Sequence, residues 1–299
     1  MDNFPNFPGL IRAGNASNLF VRGCAEINNH GHIVSPRGER VKELNNVTLV
    51  LWCPTPKNSI VLTPERKISL KYLIAEWLWY VSGNSSAKTI GKFASMWNKI
   101  QDEITGSVNS NYGFYFFQPM FYINRDADET TQFEYIIKTL NTDKDSRQAL
   151  VNINHVAHKF VGNKDFPCTV GMQFFIRDNH LSATVIMRST DIVWGFCNDI
   201  FQFTMFLNVV FNELKKTMPN LELGALTLFT TSLHMYERHW DKYKDIENSH
   251  GIDRKCPCLE RYFGDYSYDF FRGILDNNPS VRTYRKRLIG DFGPDIVNF

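Results

Sequence analysis

A cysteine near the middle of the chain has neighbours that can change its reactivity. Cys168 follows a proline and precedes two predicted strands, Met172–Ile176 and Leu181–Met187, which form a hairpin ending at Arg188. Such a hairpin brings Arg188 opposite Cys168 across the sheet, where a guanidinium group favours the thiolate. The sequence therefore predicts a nucleophilic cysteine with a lowered pKa. The alternative is an inert cysteine in the core.

A carboxyl group stands in the most apolar part of the chain. Glu76 lies beside Trp77 and Trp79 within the run Ile68–Val81, which predicts a buried helix that ends at Gly83. Burial raises the pKa of a carboxyl group, and a pKa near neutrality suits proton transfer. We therefore expect Glu76 to be an acid–base group. The alternative is a carboxylate that escapes to solvent.

The elements that must position these groups are a mixture of strands and helices. Residues 1–46 are rich in Asn, Gly and Pro, and we expect loops there. Further strands are predicted at Val47–Trp52 and Ala149–Ile153, and apolar residues at helical spacing predict a long core helix over Phe201–Leu214. Because strands and helices do not alternate regularly, the sequence predicts an α+β fold in a single domain, 1–299.

Composition and charge exclude several classes of protein. With 43% hydrophobic and 21% charged residues the chain is globular, and 33 basic against 31 acidic residues argue against a bulk nucleic-acid partner. No apolar run is long enough to span a membrane and the first residues do not form a signal peptide, so we expect no membrane partner and a cytoplasmic location. Cys256-Pro-Cys258 is not a zinc spacing, so we expect reduced thiols and no metal.

Several motifs occur in one order along the chain. They are Glu76-Trp-Leu-Trp-Tyr80, Asn111-Tyr112-Gly113, Asp145-Ser-Arg147, Pro167-Cys168, Arg188-Ser189-Thr190-Asp191, Gly195 through Asp199, and His234-Met-Tyr236-Glu-Arg-His239. In this order they resemble the thymidylate synthase family over roughly residues 35–245. Within the family, Thr169 and Asp199 resemble the cytidylate and deoxycytidylate 5-hydroxymethylase branch.

The resemblance implies an α+β fold with a large twisted mixed sheet and a homodimer formed sheet to sheet. The substrate would be a pyrimidine nucleoside monophosphate. Arg188 and Ser189 would bind its phosphate with Arg37, and Arg147 would reach the phosphate held by the partner subunit. An alternative for Arg147 is a surface arginine. His234 and Tyr236 would contact the sugar 3′-hydroxyl.

The resemblance also implies 5,10-methylenetetrahydrofolate as co-substrate and no metal. Asp191, Gly195 and Trp97 would contact the folate; the alternative for Trp97 is plain core. Cys168 would add to C6 of the pyrimidine, which makes C5 nucleophilic. Glu76 and Tyr112 would organise water for proton transfer.

Position 199 is informative about the base. An Asn amide matches uracil, whereas a carboxyl group at Asp199 matches cytosine, either as a neutral acid or facing an N3-protonated ring. The alternative is a helix N-cap. The product implied by this branch is a 5-hydroxymethylcytosine nucleotide, made in a bacterial cytosol or a phage-infected cell. We cannot align the chain's end with the tail that closes the synthases, which favours hydration. A C5-methyltransferase and a catalytically silent family member remain alternatives, and the sugar is left open.

Overall fold

A computed structural model describes residues 9–120, 130–248 and 257–299. The α-helices in these ranges are α1 (Ala16–His30), α2 (Leu70–Ser82), α3 (Ala87–Ile90), α4 (Met96–Ile100), α5 (Tyr112–Phe117), α6 (Gln132–Thr142), α7 (Gly195–Lys215), α8 (Trp240–Tyr243), α9 (Tyr268–Leu275) and α10 (Arg282–Phe292). The strands are β1 (Leu10–Ala13), β2 (His32–Val34), β3 (Val41–Leu51), β4 (Pro119–Met120), β5 (Thr130–Thr131), β6 (Leu150–Asn152), β7 (Thr169–Arg177), β8 (His180–Met187), β9 (Thr190–Asp191) and β10 (Glu222–Tyr236).

Eight strands form one open, mixed sheet. Its order is β1-β3-β10-β8-β7-β6, with β2 paired to β3 and β9 paired to β10. The pairs β1–β3, β8–β10 and β9–β10 are parallel, and β3–β10, β7–β8, β6–β7 and β2–β3 are antiparallel. The prediction of an α+β fold with a large mixed sheet packed with helices is therefore confirmed.

The two faces of the sheet differ in burial. Along β8, Leu181 and Val185 are buried, whereas Ser182, Thr184 and Ile186 are half-exposed. The same alternation runs along the second half of β3, along β7 from Met172 and along the middle of β10. Such alternation means that one face packs on the core while the other is open. On the buried side, α2 and α7 share an aromatic core.

The predicted buried helix is confirmed as α2. Ser69 caps it by accepting a hydrogen bond from the Tyr72 amide, and the helix ends at Gly83, whose φ of 65° is left-handed and favours glycine. The neighbouring helix α5 approaches so closely that a Cβ on Gly113 would lie 1.9 Å from the Tyr80 carbonyl oxygen. A glycine is thus required where α5 meets α2.

The prediction of loops over residues 1–46 is wrong for the described part. Residues 9–46 contain β1, α1, β2 and the start of β3. Asn15 caps α1, and the helix buries a narrow stripe that includes Leu19, Phe20 and Ile27. Asn18, Arg22 and Glu26 lie between the buried residues, and small residues such as Gly23 and Cys24 form part of the stripe, so the helical spacing is weak in the sequence.

Other elements occur as predicted but with different bounds. The strand predicted at Val47–Trp52 begins earlier, at Val41. Its first half was not predicted because it carries polar residues. The core helix predicted at Phe201–Leu214 begins at Gly195. The predicted hairpin is confirmed as β7–β8, and a bulge between Thr169 and Gly171 lies directly after Cys168. Bulges bend a strand and redirect its side chains, here beside the cysteine.

Candidate active site

Cys168 lies immediately before β7, and Arg188 immediately follows β8. The Arg188 amide donates to the Cys168 carbonyl oxygen at 2.8 Å, as the hairpin prediction requires. The Arg188 guanidinium donates through Nε to the Pro167 oxygen at 3.1 Å and through Nη2 to the Phe166 oxygen at 2.6 Å. It also stacks 4.8 Å from the centre of the Phe166 ring. Arg188 therefore fixes the segment that presents the thiol.

The predicted lowering of the Cys168 pKa is wrong in its net direction. Burial of the thiol raises its pKa and outweighs Arg188 and Arg37, which lower it. Asp199 and Asp165 add to the increase when they are ionised. Arg188 acts in the predicted direction, but desolvation of the thiol is the larger effect.

Glu76 is buried, with 5% of its surface exposed, so the alternative of a carboxylate in solvent is wrong. Tyr72 Oη donates to Glu76 Oε1 at 2.7 Å, and Gln202 Nε2 donates to Glu76 Oε2 at 3.0 Å. Burial raises the pKa of Glu76 to about 7, although both hydrogen bonds oppose the increase. The carboxyl group can thus hold or release a proton near neutral pH.

Asp199 lies in the second turn of α7, four residues after Gly195. The N-cap position of α7 is Trp194, so the N-cap alternative for Asp199 is wrong. Burial, then the charges of Glu76 and Asp191, raise the pKa of Asp199 well above its ordinary value. A Cβ on Gly195 would lie 3.5 Å from Asp199 Oδ2 and 3.9 Å from Asp191 Cβ. Gly195 therefore lies beside both acidic side chains, at a distance where an added Cβ would make ordinary van der Waals contact with each.

Tyr112 begins α5 and lies between aromatic rings, 5.5 Å from Tyr80 and 6.1 Å from Phe203. Burial raises its pKa, and the charges of Asp199 and Cys168 add to the increase. The phenol thus lies in the same group of side chains as the cysteine and Asp199, and it stays protonated.

The segment before Tyr112 is tied to the segment before Cys168 by a buried carboxylate. Asp165 accepts from the Ser110 amide at 2.8 Å and from Ser110 Oγ at 2.5 Å. Asn109 Nδ2 donates to the Asp165 carbonyl oxygen at 2.8 Å. These contacts hold the two loops in one arrangement.

His234 and Tyr236 lie near the end of β10, with ring centres 5.3 Å apart. His234 stands between Asp191 on β9 and Glu43 on β3, and burial lowers its pKa, although Asp191 opposes the shift. Arg37 has a left-handed backbone with φ 53° in the short 3₁₀-helix Pro36–Gly38, and its charge lowers the pKa of both Cys168 and Tyr236.

Asp191, Ser189 and Trp97, which were also predicted in the site, differ from one another in burial and in their contacts. Asp191 accepts from the Val193 amide at 2.9 Å, and burial raises its pKa. Ser189 is half-buried next to Arg188. Trp97, on α4, is 5% exposed, and its ring centre lies 5.0 Å from that of Trp79, so it belongs to the core as well as to the Glu76 side of the site.

Arg147 is not brought to these residues. It lies just before the edge strand β6, where its carbonyl oxygen accepts from Gln173 Nε2 at 2.7 Å. Its side chain is exposed and makes no hydrogen bond or ion pair with any residue that the structure describes.

The hairpin, α2, α5, α7 and β10 thus gather most of the predicted site. Sequence reasoning missed Tyr72, Gln202 and Asp165. Tyr72 is four residues before Glu76 on α2, and Gln202 is three residues after Asp199 on α7. Asp165 is three residues before Cys168 in the loop that leads to β7. That spacing was the only available signal.

Within residues 9–120, 130–248 and 257–299, no group of three His, Cys, Asp or Glu side chains could hold a metal ion. In the same part of the chain, no helix has the length and apolar character needed to cross a membrane. The described cysteines are free, and Cys256 lies outside the described residues.

Comparison with known proteins identifies the family. The family model described as Thymidylate synthase matches residues 19–258, and the chain belongs to the thymidylate synthase family. Members are one-carbon transferases that act on nucleoside monophosphates with methylenetetrahydrofolate.

The relatives differ in the base that their names state. The chain is 25% identical over 290 residues to the deoxyuridylate hydroxymethyltransferase of Bacillus phage SP01, covering 92% of this chain and 70% of the relative. It is 30% identical over 177 residues to the deoxycytidylate 5-hydroxymethyltransferase of Enterobacteria phage T6, covering 57% and 68%. It is 26% identical over 231 residues to the thymidylate synthase of Corynebacterium aurimucosum, covering 75% and 82%.

Proposed function

We propose that the protein is a (deoxy)cytidylate 5-hydroxymethyltransferase. It would convert a cytosine nucleoside monophosphate, 5,10-methylenetetrahydrofolate and water into the 5-hydroxymethyl nucleotide and tetrahydrofolate. The observation that carries the proposal is a buried carboxyl group, Asp199, with a strongly raised pKa in the same site as Cys168 and Glu76. Hydroxymethyltransferases among the relatives support the product.

The protonation state of Asp199 decides how it would recognise the base. Burial and the neighbouring carboxylates raise its pKa and so favour the neutral acid, which would donate its proton to N3 of cytosine and accept from the exocyclic N4 amine. Uracil presents a donor at N3 and an acceptor at O4, so a neutral acid held in that orientation would face both atoms with the wrong partner. The site therefore favours the aminated ring.

Cys168 is the proposed nucleophile. The thiolate is the form that adds to C6, and the raised pKa of Cys168 makes this form scarce. The positive charges of Arg188 and Arg37 would stabilise the thiolate. Glu76 would take a proton from water or from C5, and its pKa of about 7 suits both steps. Tyr112 would orient water next to the cysteine.

The folate would supply the one-carbon unit. Asp191 and Gly195 would contact the folate, and Gly195 lies beside the side chains of both Asp191 and Asp199. Trp97 would border the ring on the Glu76 side. On the nucleotide side, Arg188, Ser189 and Arg37 would hold the phosphate, and His234 and Tyr236 would hold the sugar hydroxyl.

We further propose that all 299 residues form one catalytic domain that works as a homodimer. The half-exposed face of the sheet, with apolar residues such as Ile186, Phe175 and Phe229, would be covered by a second copy. Arg147 is exposed at the edge of that sheet, where it could reach a partner's phosphate. Phage and bacterial relatives support a cytosolic location in a bacterium or a phage-infected cell.

A C5-methyltransferase that releases dihydrofolate is the second candidate. One observation favours it. Ile296 and Val297 are buried against α2, so the chain does place its C-terminal residues beside the helix of Glu76. Although the chain's end does not align with the tail of the synthases, these C-terminal residues would be positioned to help close the site, which favours methylation.

A single assay separates these functions. The enzyme is incubated with methylenetetrahydrofolate and dCMP, CMP, dUMP or UMP, the product is weighed, and dihydrofolate is followed by absorbance. We expect a hydroxymethylated cytosine nucleotide without dihydrofolate, whereas dihydrofolate would reject the proposal. Release of C5 tritium that Cys168→Ser abolishes would exclude a catalytically silent protein.

A further inference from the structure

A tyrosine outside the predicted site connects two of its members. Tyr72 lies one turn before Glu76 on α2, and its hydroxyl donates to Glu76 Oε1 at 2.7 Å. The same hydroxyl accepts from Trp97 Nε1 at 3.0 Å. A single hydroxyl group thus touches both the proposed acid–base group and the tryptophan proposed to border the folate.

The chemistry of the three groups fixes the direction of the chain of hydrogen bonds. An indole N–H can only donate, so the Tyr72 oxygen must accept from Trp97 and its one proton is left for Glu76. The indole polarises the hydroxyl and makes it a better donor. This direction favours the ionised carboxylate. If Glu76 gains a proton on Oε2, Tyr72 can still donate to Oε1, but a neutral carboxyl oxygen is a weaker acceptor than a carboxylate oxygen.

The other carboxylate oxygen is held by α7. Gln202 Nε2 donates to Glu76 Oε2 and to the Leu73 carbonyl oxygen, each at 3.0 Å. Gln202 Oε1 is buried and has no hydrogen-bond partner among the described residues. Because Gln202 presents Nε2 to Glu76, its amide would have to rotate before Oε1 could accept the proton of a neutral Glu76. The other titratable groups near the carboxyl group are Asp199 on α7 and Tyr80 on α2.

We propose that Tyr72 is a positioning residue that links the Trp97 indole to the Glu76 carboxyl group, so that a change at Trp97 alters the proton affinity of Glu76. The inference rests on the proposed function for the roles of Glu76 and Trp97. A folate ring that moves or polarises the Trp97 indole would then change the proton affinity of Glu76 before the reaction begins.

The test is a titration of the enzyme without substrates. Infrared spectra follow the carbonyl stretch of the protonated carboxyl group, and the difference from Glu76→Gln isolates Glu76. The midpoint should lie at about 7 in the unmodified enzyme. Tyr72→Phe removes a donor to the carboxylate, so the midpoint should rise by about one to two pH units. Trp97→Phe should raise it by a smaller amount.

The coupling is read from the double variant. In the Tyr72→Phe background, Trp97→Phe should cause no further shift, because its effect passes through the missing hydroxyl. Equal shifts in both backgrounds, or an unchanged midpoint in Tyr72→Phe, would overturn the inference. If Tyr72→Phe does not fold, the single Trp97→Phe titration decides, since an unchanged midpoint there also overturns it.

A matched control is Tyr262→Phe. Tyr262 donates to the Asp291 carboxylate at 2.9 Å in the C-terminal elements, so its removal deletes the same type of bond away from α2. It should leave the Glu76 midpoint unchanged. Because no substrate is present, the titration can succeed even if the product assay rejects hydroxymethylation, and the two failures remain distinguishable.

Discussion

Replacing Asp199 with asparagine tests the proposed choice of base. The neutral acid donates to N3 of cytosine and accepts from N4, whereas an amide in the orientation found to suit uracil accepts at N3 and donates to O4. With cytosine, that amide leaves two polar contacts mismatched. At about 1–3 kcal/mol for each unmet buried hydrogen bond, a total near 3 kcal/mol is reasonable, which is roughly a hundredfold change in preference.

The assay is the ratio of kcat/KM for dCMP to kcat/KM for dUMP, or the CMP and UMP pair if the sugar is ribose. Asp199→Asn should lower this ratio by about two orders of magnitude. The substitution should not destabilise the protein, because burial and the charges of Glu76 and Asp191 already disfavour an ionised group at position 199. Asp191→Asn is the matched control and should weaken turnover of both bases to a similar extent. Equal loss on both bases with Asp199→Asn would refute the reasoning.

Three further predictions concern proton uptake, packing and assembly. The pKa of Glu76 is raised from 4.5 to about 7, so the unfolded chain binds fewer protons than the folded one between these pH values, and the free energy of unfolding falls as pH rises. In denaturant titrations, Glu76→Gln should remove about 3 kcal/mol of this decrease. Gly113→Ala places a Cβ 1.9 Å from a carbonyl oxygen of α2 and should lower Tm strongly, whereas Gly290→Ala has no neighbour within 4 Å and should not. A mixed dimer of Arg147→Ala and Cys168→Ser chains should regain about half of the unmodified activity, since one site keeps its cysteine and a partner's arginine.

Each of these has a clear contrary result. Parallel stability curves for the enzyme and Glu76→Gln between pH 4.5 and 8 would show that Glu76 does not titrate as described. Equal Tm values for the two glycine variants would contradict the close approach of α5 to α2. A mixed dimer as weak as the Arg147→Ala homodimer would show that the arginine serves its own subunit.

The sequence predicted those elements whose patterns are dense and local. Helix α2 has an apolar run with a glycine at its end, and the β7–β8 hairpin has alternating strands around a polar turn, so both were found. Helix α1 was missed because its buried stripe includes small residues such as Ser17 and Gly23 and has few large apolar ones. The strand β3 was predicted too short because polar residues open it.

The sequence predicted which residues form the site, but not the burial and hydrogen bonds that set their pKa values. Motif order identified Cys168, Glu76 and Asp199, and burial of Glu76 followed from its neighbours. The net pKa direction of Cys168 was wrong because the desolvation of a thiol depends on tertiary packing that spacing does not report. The contacts of Tyr72 and Gln202 with Glu76 join separate elements or turns, which no linear motif encodes.

The central claim is that Cys168 bonds transiently to C6 of a cytosine ring. 5-Fluoro-dCMP with methylenetetrahydrofolate tests it directly, because fluorine at C5 cannot leave as a proton does and the covalent complex should persist. Mass spectrometry of the digested protein should find nucleotide and folate mass on the peptide that contains Cys168, and on no other. An enzyme that turns over dCMP yet forms no such adduct, or forms it on a different residue, would contradict the account.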